Sequence, residues 1–134
     1  MTKSFDMNTI GLINTFEKKT HVNVQDCVFD EKNIYFLVEF GKAGMAIGKN
    51  GKNIKGMQRI FKKNVKVFEY SEKPKKIIKN MIPTCNSIEI EDGKATVKIS
   101  PSDKGKIIGR MGSNIKKIRE LLERNSDIKK LEVK

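Results

Sequence analysis

Ile34, Phe36, Val38 and Phe40 recur at every second position, the period of an extended strand with one buried face. An apolar-rich run over 22–29 precedes it, and the polar stretch Asp30-Glu31-Lys32-Asn33 between the two predicts a turn. Upstream, Ile10, Ile13 and Phe16 recur at about helical spacing with Leu12 alongside, which predicts a helix over 7–19. Downstream, a short helical piece is expected over 42–47. A helix over 52–63 follows, with Ile54, Met57, Ile60 and Phe61 as its apolar stripe, and then a strand over 65–68. Tyr35, Phe36 and Phe40 are expected in the strand core.

The same order then runs again. A helix over 75–81 stops before Pro83. Strands over 88–91 and 95–99 flank Asp92-Gly93, a hairpin signal. Ser100-Pro101 predicts a cap with proline in the first helical turn, opening a short helix over 103–108. A longer helix starts at Ser113 or Asn114 and reaches about Arg124, and a strand over 128–133 closes the chain. The periodicity breaks near Ser71-Glu72-Lys73-Pro74, which divides the sequence into 1–70 and 71–134.

Shifting the chain by 61 positions makes the repetition explicit. Gly44 falls on Gly105, Ile47 on Ile108, Gly48 on Gly109 and Gly51 on Gly112. Asn53 falls on Asn114, Ile54 on Ile115, Lys55 on Lys116 and Asn64 on Asn125. Met57, Ile60 and Phe61 meet Ile118, Leu121 and Leu122, so the apolar pattern repeats too.

Each copy therefore sets a Gly-x-x-Gly pair between two helices. Glycine tolerates positive φ and lacks the Cβ that would hold a partner off the backbone. The helix that follows points free N–H groups at the same place, which favours an anion. Lys49 and Asn50 lie inside the first pair, Arg110 and Met111 inside the second. Lys52 and Lys55, with Ser113, Lys116 and Lys117 in the second copy, continue each track. One isolated pair would read as a plain helix connector. Two copies in one slot, each followed by Asn-Ile-Lys, point to a backbone-phosphate clamp. Met111 is the odd member, an apolar residue where exposure is expected. A P-loop and a dinucleotide fingerprint are both excluded, since neither G-x-x-x-x-G-K-[ST] nor G-x-G-x-x-G occurs.

The formal charge is +12, shared as 12 basic against 7 acidic residues in 1–70 and 16 against 9 in 71–134. This is a distributed field and not a basic tail, and it favours an anionic partner, nucleic acid first. No apolar run approaches a membrane span, and the N-terminus lacks the apolar core of a signal peptide. A soluble cytoplasmic protein without membrane attachment is expected. Cys27 and Cys85 are expected as free thiols in strands. The lone His21 reads as exposed or as a helix C-cap, and no Cys/His set suits zinc. Neither catalysis, a cofactor nor a metal is expected.

The stretches Ile47-Gly48-Lys49-Asn50-Gly51-Lys52-Asn53-Ile54 and Ile108-Gly109-Arg110-Met111-Gly112-Ser113-Asn114-Ile115 resemble the loop of the KH domain, which clamps about four single-stranded nucleotides. Helix and two strands before the loop, with one strand after, match the type II arrangement. Two such units in tandem resemble the archaeal NusA-like transcription factors. The resemblance implies an α+β fold of two tandem type II KH domains, each a three-stranded mixed sheet packed with three helices. It places both Gly-x-x-Gly loops on RNA backbone and makes Ile47, Ile54, Ile108 and Ile115 candidates for the wall of a base groove; the same residues fit an apolar helical stripe. The function it implies is binding of nascent single-stranded RNA in termination or elongation control, with RNA polymerase as a further partner; a monomer is expected. Two other readings stay open: a ribosome-associated protein on rRNA, and a protein-interaction module with vestigial loops.

Overall fold

The computed structural model describes residues 7–134, which fall into two compact units divided between Tyr70 and Ser71. The first contains α1 (Met7–Thr20), β1 (Val24–Phe29), β2 (Asn33–Val38), α2 (Ala43–Ile47), α3 (Lys52–Phe61) and β3 (Asn64–Glu69). The second contains α4 (Pro74–Met81), β4 (Cys85–Glu91), β5 (Lys94–Ile99), α5 (Pro101–Ile108), α6 (Ser113–Asn125) and β6 (Lys130–Val133). Each unit is an α+β fold built on a three-stranded mixed sheet, in the order β1-β2-β3 and β4-β5-β6.

In the first sheet β2 runs antiparallel to β1 and parallel to β3, with Ile34 opposite Val65 and Phe36 opposite Val67. The second sheet repeats this, with Ala95 opposite Leu131 and Val97 opposite Val133. A parallel pair needs a crossover connection, and in both units that crossover is the helix–loop–helix carrying the glycine pair.

The first core gathers Phe16 of α1, Cys27 of β1, Ile34, Phe36 and Val38 of β2, Met57 of α3 and Val65 of β3. The rings of Phe16 and Phe36 lie 4.1 Å apart at their centroids. Burying such rings contributes roughly 1.5–3 kcal/mol each. In the second unit α6 buries Ile115, Ile118, Leu121 and Leu122, and β5 buries Ala95, Val97 and Ile99. Cys27 and Cys85 are buried free thiols in β1 and β4.

Several expectations from periodicity need correction. β2 ends at Val38, and Phe40 stands outside it with 69% of its surface exposed. Gly41, at φ +79°, turns the chain there and stops the alternation. Tyr35 and Phe36 are buried as expected, but so is every residue from Ile34 to Val38, so the strand is not one-faced. Ile10 and Ile60 are exposed and lie off the buried helical stripes. β1 starts at Val24, β4 at Cys85 and β6 at Lys130, each two or three residues from the apolar run that suggested it.

The turns follow local chemistry. Asp92 and Gly93 both take positive φ, 49° and 77°, as a two-residue type I′ hairpin requires. His21, exposed and at φ 59°, ends α1 with its N–H donated to the Glu17 carbonyl at 2.8 Å. Pro101 does open α5, but Ser100 gives no side-chain cap; its hydroxyl accepts from the Asn86 amide, and its carbonyl takes the N–H of Asp103 and Lys104. Among the described residues no helix is long and apolar enough to cross a membrane, and no group of Cys, His, Asp or Glu is placed to hold a metal.

Candidate nucleic-acid interface

The two glycine loops have one conformation. Gly48 sits at φ 82°, ψ 164° and Gly109 at φ 77°, ψ 172°. Asn50 and Met111 share φ 56°, ψ 27°, and Gly51 and Gly112 follow at φ 72° and 75°. Each loop is one tight turn. The first glycine donates its N–H back into the preceding helix, Gly48 to Gly44 at 3.0 Å and Gly109 to Gly105 at 2.9 Å. The second donates to the first, Gly51 to Gly48 at 3.0 Å and Gly112 to Gly109 at 3.1 Å.

The first glycine of each pair has no substitute. Its φ and ψ lie in a region open essentially to glycine alone. A Cβ on Gly48 would also meet the Asn53 backbone nitrogen at 2.9 Å, and one on Gly109 the Asn114 nitrogen at the same distance. The second glycine is freer. A Cβ on Gly51 or Gly112 would find only a lysine Cε at 3.9 Å, so positive φ is the sole demand there.

Asn53 and Asn114 tie each turn shut. The Asn53 amide donates to the Met45 carbonyl at 3.2 Å, and the buried Asn114 amide to the Ile107 carbonyl at 2.7 Å. These carbonyls end α2 and α5, where helices leave acceptors unpaired. The repeat of Asn-Ile-Lys was visible in the sequence; that its asparagine reaches back across the loop was not. Glu69 was also missed. From the end of β3 its carboxylate accepts the Ala43 N–H at 3.2 Å and so caps α2. No local pattern could signal a partner 26 residues away.

The cations flank the turns. Lys49, Lys52 and Lys55 are exposed in the first unit, as are Arg110 and Lys116 in the second. Among the described residues no carboxylate forms an ion pair with any of these five. Lys117, expected on the same track, is instead held by Glu120 at 3.2 Å. Asn50 is exposed and Ser113 half-buried, while Met111 has 91% of its surface exposed. Ile47, Ile54 and Ile108 are half-buried beside the turns. Ile115, with 4% exposure, belongs to the second core.

The arrangement offers a tight glycine turn flanked by exposed cations that pair with no carboxylate among the described residues, in duplicate. Known proteins resemble the chain over most of its length. The KH domain family matches residues 12–84 and again 75–134. The chain is 32% identical over 127 residues to "Probable transcription termination protein NusA" of Methanocaldococcus jannaschii, covering 90% of this chain and 69% of that one. It is 35% identical over 130 residues to the protein of the same name from Methanococcus vannielii, covering 90% and 73%. The crystal structure of APE1850 superposes with a TM-score of 0.75 at 32% identity, over 97% of this chain and all of that one.

Proposed function

Because this chain belongs to the KH-domain family and, within it, to the archaeal NusA-like proteins, we propose that it binds single-stranded RNA through both glycine loops and acts in transcription termination or elongation control. The observation that carries this reading is the duplication of one loop geometry, with Lys49 and Arg110 left unpaired by any carboxylate among the described residues. Gly48, Lys49, Asn50 and Gly51 take the sugar-phosphate backbone, as do Gly109, Arg110, Met111 and Gly112. Lys52, Lys55, Ser113 and Lys116 extend the two tracks. Ile47, Ile54 and Ile108 border the space for bases, and Ile115 supports that border from the core.

The mechanism is binding alone. The RNA is the nascent transcript and RNA polymerase the machine it serves, in the cytoplasm. Two linked sites on one strand raise affinity through effective concentration. With roughly 3–5 phosphates engaged, log K falls against log salt with a slope of about −2 to −4.

Two double variants test this, Lys49→Asp with Asn50→Asp, and Arg110→Asp with Met111→Asp. Each is expected to weaken binding of a single-stranded oligoribonucleotide and to flatten the salt slope, with circular dichroism unchanged. Unchanged affinity in both folded variants would remove the clamp. Recovery from cells with ribosomal particles instead of RNA polymerase would move the RNA target to rRNA.

A further inference from the structure

Phe40 is the only exposed aromatic side chain among the described residues; every other phenylalanine and tyrosine there is buried or half-buried. It does not hang from a loose loop. The Lys42 N–H donates to the Glu39 carbonyl at 3.2 Å, closing a four-residue turn with Phe40 and Gly41 at its centre. Gly41 holds φ +79° at the third position, as in a type II turn. The next residue, Ala43, is fixed by the Glu69 carboxylate. The ring therefore stands on a corner hydrogen-bonded on both sides.

That corner leads straight into the glycine loop. Lys42 and the five residues of α2 separate it from Gly48, which keeps Phe40 within about 20 Å of the turn. Along the way Ala46 faces the core, while the other face of α2 is open. Met45 is more than half exposed, Ile47 is half-buried, and Lys42 and Lys49 are exposed cations. The second unit has nothing equivalent. There β5 ends at Ile99 and α5 begins at Pro101, so no turn intervenes, and Pro101 and Lys106 occupy the places of Phe40 and Met45.

We propose that Phe40 is a stacking platform for one nucleobase of the strand held by the Gly48–Gly51 loop, a base-face contact that the second unit lacks at the place taken by Pro101. The proposal rests on the RNA-binding reading above. Its occupant is a base of that same strand because the chain runs from the platform through α2 into the loop, and because the exposed Lys42 and Lys49 along that path, against the single half-buried Glu39, suit a polyanion. Stacking on an aromatic ring tolerates any base, since each has a π-face. It adds hold without sequence choice.

The test compares a short oligoadenylate with an abasic ribose-phosphate oligomer of the same length. Phe40→Ala is expected to weaken binding of the oligoadenylate at least about fivefold, to leave the abasic oligomer unaffected, and to leave the salt slope unchanged. Phe40→Tyr should restore the wild-type value. The chain has no tryptophan, so Phe40→Trp installs a single indole whose fluorescence the oligoadenylate should quench and the abasic oligomer should not. Equal loss on both oligomers, or no loss on either while Lys49→Asp with Asn50→Asp still weakens both, overturns the stacking role and leaves the clamp standing. If that loop variant also binds both oligomers like wild type, the RNA reading of the first unit fails and the platform with it.

Discussion

Asn50 and Met111 occupy the same left-handed backbone conformation, φ 56° and ψ 27° in each, although only asparagine tolerates it well. Met111 gains little in return from burial, since 91% of its surface is exposed. Met111→Asn is therefore expected to raise stability by on the order of 1 kcal/mol, and Asn50→Met to lower it by a similar amount. Denaturant midpoints at constant m-value check both.

The two glycines of each pair are expected to respond differently to alanine. At Gly48 and Gly109 a Cβ meets the backbone nitrogen of the asparagine five residues on, and the φ/ψ region excludes it as well. Gly48→Ala and Gly109→Ala should each cost about 2–3 kcal/mol or reshape the loop. Gly51→Ala and Gly112→Ala meet only a lysine Cε at ordinary contact distance and carry just the positive-φ penalty, about 1 kcal/mol. Thermal melts rank them, and equal losses across the four would refute the steric argument.

Asn114→Ala removes a buried hydrogen bond of 2.7 Å and strands the Ile107 carbonyl. It should destabilise by about 1–3 kcal/mol. Asn53→Ala removes an exposed bond of 3.2 Å whose carbonyl water can reach, and should cost well under half as much. Urea unfolding of both variants measures the difference.

Tyr35 gives the protein an alkaline limit. Burial, and secondarily the charge of Asp30, push its phenol up to about 12. The unfolded chain releases this proton near pH 10. The contribution to stability is thus complete below about pH 10 and is lost as pH rises towards 12. Tyr35→Phe should flatten the melting temperature over that interval. A profile that falls equally steeply in the variant would assign the loss to other groups.

What the sequence shows and what it hides divide along one physical line. Helices, strands and the doubled glycine turn announce themselves because burial imposes a period and positive φ demands glycine. Phe40 misled because a strand and the turn that ends it can carry the same alternation; Gly41, whose φ breaks the strand, is the residue that distinguishes them. Ile10 and Ile60 keep helical spacing yet fall at the rim of their stripes. Ser100 looked like a cap by residue type, but Asn86 takes its hydroxyl. Asn114 and Glu69 act on carbonyl and amide groups that sequence places seven and 26 positions away, and only the folded chain brings them together. For the interface, the turns were legible and the lysine count nearly so; Lys117 dropped out through a neighbour one helical turn along.

The glycine loops sit inside crossovers, between parallel strands that pair only after the loop has been passed. In the first unit Asn33 meets Asn64, and the carboxylate that caps α2 arrives with Glu69. A chain still emerging from its ribosome has therefore made Gly48–Gly51 well before it owns the strand that sets them. The helix that leads into the loop is capped only when residue 69 has folded back onto Ala43, so the turn is among the last parts of the unit to gain its full support.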